Sequence, residues 1–292
     1  MIEAKVIEDS TYEGGKRLTT MQLKYPRIIH AEAKTHRVIE IGGQLIDLME
    51  DVAFMDDPSL SRNASSTRAI PTAKLANSEF FEPTRYGKNK AGMQAAEENL
   101  EGEALERAKA IWRHMADVCA AGSKELAELG LHKQWAGRPT EWFTHINVVV
   151  TATEWDNFFA LRDHPDAQPE IRELARAMKA AMAASTPRVL GFGEWHLPYL
   201  DDAERLGLPL KDQIACSVAR CARVSYLRHN LTAPSVEDDK QLHDRLVLAV
   251  PPHMSPTEHQ ATPTLDTSKQ ANLRGWVQYR RQIEMGDAEC RP

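Results

Sequence analysis

The stretch SRNASSTRAIP, residues 61–71, is where residue types in this chain read most directly as chemistry. Four hydroxyl side chains, one Asn and two Arg stand within the eight residues from Ser61 to Arg68, with little apolar surface among them. Short polar side chains, backbone N–H groups and a guanidinium fork together make a concave donor surface suited to a phosphate. The same composition suits a helix-capping loop, where Ser and Asn satisfy local backbone donors. On these residues alone both readings stand.

Other clusters carry weaker signals. His36-Arg37 lies upstream. Near the chain's end, His253-Met254-Ser255-Pro256-Thr257-Glu258-His259 gathers three ionisable side chains. Their spacing is not that of the helical H-E-x-x-H metal site, and Pro256 interrupts a helix, so contact with a planar cofactor or support of one is the better reading than a metal. Cys221, between Arg220 and Arg223, is the one candidate thiolate, yet Ala219, Ala222 and Val224 mark a packed helix around it.

These residues need elements to position them. Thr20 to Tyr25 alternates and runs into Pro26, as a strand and its exit do. Ile28 to Arg37 suits a short helix. Residues 38–60 hold six acidic side chains and no basic one, and Ile46, Leu48, Met49, Val52 and Met55 form a rough helical stripe. A longer helix is expected over 101–125, with Leu105, Ala108, Trp112, Met115 and Cys119 on one face. Trp142 to Thr151 reads as a buried strand. The helical pieces EWDNFFALR and 171–182 follow, the latter ending before Pro187. Residues 186–213 read as loop, IACSVARCARVSY and VEDDKQLHDRLVLAV as helices, and RGWVQYRRQIEM as a terminal helix with exposed Arg or a set of phosphate or flavin contacts. No internal repeat or low-complexity linker is present. The expected class is α+β.

Composition bounds the function. The 292 residues carry 36 Lys and Arg against 42 Asp and Glu, a formal charge of −6, which argues against a broad basic surface for duplex nucleic acid. Apolar runs are too short to span a bilayer, the N-terminal MIEAKVIEDS lacks a signal-peptide pattern, and the Cys at 119, 216, 221 and 290 form no C-x-x-C pair. A reduced, cytoplasmic protein is expected.

Three blocks together resemble the flavin-dependent thymidylate synthase family. The first is Thr35-His36-Arg37 followed by Ser61-Arg62-Asn63-Ala64-Ser65-Ser66-Thr67-Arg68, similar to that family's R-H-R and S-x-N-x-x-S-x-R. The second is residues 137–175, GRPTEWFTHINVVVTATEWDNFFALRDHPDAQPEIRELA. The third is CARVSY with HMSPTEH, similar to A-R-V-S and H-x-T-P-x-E-H. In the family the third block precedes the others; here it follows residue 215, so the chain resembles a circularly permuted member of the type found in viruses of bacteria, and permutation is tolerated where native termini lie close together.

The resemblance implies a single catalytic domain over 1–292, with 38–60 an acidic insertion and 211–292 the permuted segment. It implies helices packed on a central, mainly antiparallel sheet. The implied reaction is reductive methylation of dUMP to dTMP, with FAD, NADPH as reductant and methylenetetrahydrofolate as carbon donor, in a homotetramer with shared active sites. Ser66 and Arg162 would be catalytic; Ser66, Arg68, Arg162 and Glu32 would hold the nucleotide, with Arg68 on its phosphate. His36, Arg37, Asn63, Asn157, His253 and Ser255 would contact the flavin, with Glu258 in support, and Arg223 and Ser225 would hold the fold around it. No cysteine adduct is required. Departures fall on the cofactor set: Thr35 replaces the first Arg, Ala64 a usual Glu, and Thr151 and Thr153 an Asn and an Arg. Two alternatives are a related C5 modification, such as hydroxymethylation of dUMP or dCMP, and a non-catalytic nucleotide-binding paralogue.

Overall fold

Alternation in the first 26 residues builds a hairpin, and that hairpin organises everything after it. In the computed structural model, residues 1–30, 70–92, 94–224, 234–267 and 272–286 are described in full, and 38–41, 44–47, 60–64 and 269–270 by their backbone. The strands are β1 (Glu3–Thr11), β2 (Leu18–Pro26), β3 (Val38–Ile41), β4 (Gln44–Asp47), β5 (Leu60–Ala64), β6 (His145–Ala152), β7 (Arg188–Val189), β8 (Ala261–Pro263), β9 (Lys269–Gln270), β10 (Leu273–Arg274) and β11 (Trp276–Gln278). The helices are α1 (Thr72–Ala76), α2 (Gly102–Glu128), α3 (Lys133–Ala136), α4 (Asp156–Arg162), α5 (Pro169–Ala183), α6 (Asp202–Gly207), α7 (Leu210–Arg223), α8 (Val236–Val247) and α9 (Tyr279–Met285).

The main sheet runs β5-β6-β2-β1-β7. Every pairing in it is antiparallel except the short β1–β7 contact, so the mixed α and β class with a mainly antiparallel sheet holds. Directly opposed residues share a face. One face carries Met21, Leu23, Tyr25, Ile146, Val148 and Val150, all buried under Ile171, Leu174 and Met178 of α5. Burying a side chain such as Leu174 is worth roughly 1.5–3 kcal/mol, so this apolar layer anchors the fold. The opposite face is mixed: Leu18 packs with Leu190, Ala261, Leu273 and Trp276, while Thr20 and Thr151 bring hydroxyls into the interior. A bulge between Val6 and Glu8 sets Val6 opposite Met21 but Glu8 opposite Thr20. It thereby turns Glu8 and Ser10 to the polar face.

Several sequence expectations are met. β2, α4, α5, α7 and α8 form where periodicity placed them. In α2 the stripe is shifted: Ala116, Ala120 and Ser123 are buried, whereas Met115 is 43 % exposed beside Ile111 and Val118. The helical stripe expected from residue 46 is corrected, since β3 and β4 form an antiparallel hairpin over 38–47. Val38, Ile39 and Ile41 and then Leu45 and Ile46 favour strands, and the intervening Gly42-Gly43 is a hairpin signal that outweighs the stripe. The rest of that segment, 48–59, lies outside the described residues. Of 28–37, the described part is a 3-10 turn, Arg27–Ile29.

Trp142 and Phe143 belong to a 3-10 helix, Arg138–Phe143, begun by Pro139 at its first turn, so the strand starts at His145. Residues 186–213 are not all loop. Asp201 and Glu204 form a reciprocal capping box that starts α6. The C-terminal RGWVQYRRQIEM is a strand and then a helix: Trp276, Gln278 and Tyr279 are buried. Gly275 turns β10 into β11 at φ +74, and a Cβ there would collide with the Tyr12 hydroxyl.

Candidate active site

The site grows from β6. Its register sets Thr151 opposite Ser61 and Val149 opposite Asn63, which brings the start of the hydroxyl-rich stretch onto the sheet. The H-M-S-P-T-E-H segment, almost two hundred residues later, packs on the same strand, β5, as a 3-10 turn, Ser255–Glu258. Pro256 at the turn's start and the Thr257 hydroxyl on the Met254 carbonyl (2.7 Å) fix its shape. The His253 N–H donates to the Leu246 carbonyl (2.9 Å), tying the turn to the end of α8. His253 and Ser255 are exposed; Glu258 and His259 are buried.

Glu258 is held from the C-terminal segment. Its carboxylate accepts from Asn272 Nδ2 (3.3 Å) and from Arg280, and Gln278 Nε2 donates to its backbone carbonyl (2.7 Å). Arg280 is therefore the half-exposed end of a clamp, while Trp276, Gln278 and Tyr279 before it are core and Arg274 is exposed. Tyr279 stacks on His243, and Trp276 Nε1 donates to the Lys16 carbonyl (2.9 Å).

Asn157 and Arg162 sit at opposite ends of α4, which follows β6 and packs on α5. Both are half-buried, and the Arg162 Nε is enclosed. The helix C-terminus favours the cation. Just beyond it, Asp163 accepts from Lys179 and Arg176 (2.9 Å each), hydrogen bonds that hold its carboxyl below the ordinary value. The structure thus brings β5 and the 255–258 turn together, and leaves Asn157 and Arg162 on a neighbouring element. Glu32, His36, Arg37, Ser66, Arg68 and Ser225 lie outside the described residues, and Asn63 is described by its backbone.

Arg223 of C-A-R-V-S-Y is a structural cation. It meets Asp239 of α8, itself fully buried, and its Nη2 donates to the Asp238 carbonyl (3.1 Å). Arg220 adds a 2.8 Å bond to Asp239 and a fork on Glu204, so α6, α7 and α8 share one charge network. Burial pushes the Cys221 thiol far up and raises Cys216, which removes both as thiolates.

Thr151 explains one departure in the cofactor set. It is buried and bonded to Thr20 Oγ1 (2.7 Å) and His259 Nδ1 (2.8 Å), so it serves the interior. The Thr153 hydroxyl accepts from the Arg274 N–H (3.4 Å). His259, grouped in the sequence with His253 and Glu258 but given no role there, is fully buried against one of two paired threonines. Among the described residues no group of His, Cys, Asp and Glu is arranged to hold a metal, and no helix is long and apolar enough to cross a membrane.

Fold and site define a mixed α and β protein whose polar turn and hydroxyl-rich strand meet on one sheet. Over residues 54–188 the chain matches the model of the Thy1 family, thymidylate synthase complementing protein. Among solved structures it is similar to a UMP/dUMP methylase, PolB from Streptomyces cacaoi, bound with 5-Br UMP. Identity is 15 %, the alignment covers 63 % of this chain and 89 % of that one, and the TM-score is 0.44. None of the curated proteins compared matches the chain.

Proposed function

We propose that this protein reductively methylates dUMP at C5 to give dTMP, with FAD as bound cofactor, methylenetetrahydrofolate as carbon donor and NADPH as reductant. The observation that carries the reading is the Thy1 match, which spans both the S-R-N-A-S-S-T-R stretch and the E-W-D-N-F-F-A-L-R helix. The packing of the H-M-S-P-T-E-H turn on the strand that begins that stretch supports it. That the match ends at residue 188, before C-A-R-V-S-Y and H-M-S-P-T-E-H, is consistent with a permuted order.

In this reading Arg68 grips the phosphate dianion through a bidentate fork and Ser66 adds a hydroxyl donor. Arg162 hydrogen-bonds the pyrimidine and stabilises the charge that develops as C5 becomes nucleophilic. Glu32 belongs to the same nucleotide set. A bound flavin supplies the hydride that reduces the transferred carbon. The residues present fit such a group: His253 and Ser255 are open on the turn, where Glu258 is fixed by Asn272 and Arg280, and Asn157 is half-open on α4. His36, Arg37 and Asn63 complete the cofactor set. The apolar face of Ile111, Met115 and Val118, 50, 43 and 56 % exposed, is in keeping with a homo-oligomer that shares active sites.

Incubation with FAD, NADPH and methylenetetrahydrofolate, separately with dUMP and dCMP, tests the reading. dTMP formation from dUMP is the expected result. Thr151, turned into the core, favours one second reading, a nucleotide-binding paralogue without flavin; a colourless protein that binds dUMP and leaves NADPH untouched would establish it.

A further inference from the structure

We propose that Arg280, which ends the segment R-G-W-V-Q-Y-R, is a further binding residue of the candidate site and holds the pyrophosphate of the bound flavin on the open edge of its guanidinium. The inference rests on the flavin reading above and adds a residue to it. Of the two arginines in that segment, only Arg280 reaches the site turn. Arg274 is exposed on β10 and faces Glu154 (3.7 Å). Arg280 Nη1 donates to the Glu258 carboxylate, and its Nε donates to Glu284 Oε1 (2.8 Å).

Two anchors fix the plane of the group. A guanidinium carries five N–H donors in a rigid fork, so single bonds from Nη1 and Nε leave three donors unspent. Among the described residues Nη2 makes no hydrogen bond, and it is not enclosed, so it reaches solvent. The side chain as a whole is 38 % exposed, against 10 % for Glu258. A planar fork held by carboxylates on one side and open on the other suits a phosphate, which takes paired N–H groups. An arginine already held in place also loses less side-chain freedom when it binds.

The position of this cation favours the cofactor over the nucleotide. Glu258 closes the turn that carries the exposed Ser255, with exposed His253 just before it, and both stand in the flavin set. Gln278, shortly before Arg280 in the chain, bonds the Glu258 carbonyl (2.7 Å), so backbone and side chain alike keep Arg280 at the turn. The nucleotide's phosphate already has Arg68 in the proposed reading. Arg280 and the exposed Arg281 balance Glu258 and Glu284 in charge, so the carboxylates orient the fork without making the spot acidic.

The test titrates FAD into the full chain, by quenching of flavin fluorescence, across a salt series. Arg280→Gln is expected to weaken FAD binding roughly ten- to a hundredfold at low salt and to flatten its salt dependence, because a screened charge contact is gone. Arg280→Lys keeps the charge and is expected to keep the salt dependence. A residue that only seated Glu258 would cost affinity without altering the salt dependence; that outcome overturns the proposal, as does unchanged affinity. Should Arg280→Gln fail to fold, the unaltered protein gives the answer. Phenylglyoxal modifies accessible arginines, and FAD is expected to shield Arg280 in peptide mapping while dUMP alone does not. Modification of Arg280 at saturating FAD, or shielding by dUMP alone, overturns the proposal. An unaltered protein that binds no FAD removes the flavin reading itself, and this role with it.

Discussion

Gln278 Nε2 donates to the Glu258 carbonyl at 2.7 Å, a bond between residues twenty apart that seats the turn of the candidate site on the C-terminal strand. The Gln278 side chain also accepts from the Asn272 N–H (3.1 Å). Because Gln278 is fully buried, Gln278→Leu removes two bonds at sites water does not reach. A loss of roughly 1–3 kcal/mol is expected in urea denaturation. An unchanged midpoint would remove this clamp from the account.

Arg68→Ala is expected to weaken dUMP binding by roughly 2–4 kcal/mol, the scale of a lost charge-assisted pair on a phosphate. Calorimetric titration measures it directly. Unaltered affinity would take the phosphate role away from Arg68 while leaving the fold description intact.

Cys221→Ala is expected to leave turnover largely intact, because a thiol kept protonated by burial is no nucleophile at neutral pH. Turnover and melting temperature are read together. Abolished chemistry in a normally folded variant would restore covalent thiol catalysis to consideration.

Acid should destabilise the fold through its buried histidines. Burial lowers His259 from 6.5 to about 3 and His196 well below 6.5. The unfolded chain therefore takes up protons that the folded chain refuses, so this stability is present above the unfolded value and is lost as pH falls toward the folded one. Between about pH 7.5 and about pH 5.5 the expected loss is about 1.4 kcal/mol per histidine. Glu8, raised by burial, pulls the other way only in the carboxylate range. Equal stabilities at the two pH values would show that these imidazoles are charged, or solvated, in the folded protein.

Local pattern alone determined a good part of this protein. The 3.6-residue spacing of Ile171, Leu174, Ala175 and Met178 makes α5 and names its buried face, and the alternation from Thr20 to Tyr25 makes β2. Such signals are local because a helix or strand buries its stripe whatever it packs against. The residue types of 61–71, of 137–175 and of the 253–259 turn were likewise readable one after another. Their meeting was not. Which strand lies beside β6, that the turn settles on β5, and that Thr151 bonds His259 rather than facing a ligand are decided by pairings between residues far apart in the chain, such as Leu60 with Ala152 and Thr151 with His259. Hydrogen bonds of that kind leave no period in the chain: a buried threonine opposite another threonine looks like any strand residue until its partner from the far end arrives. Tertiary packing, through the bulge at Val6 and Glu8, also decided which face each of β1's carboxylates took, since one extra residue inverts the alternation that sequence reading relies on.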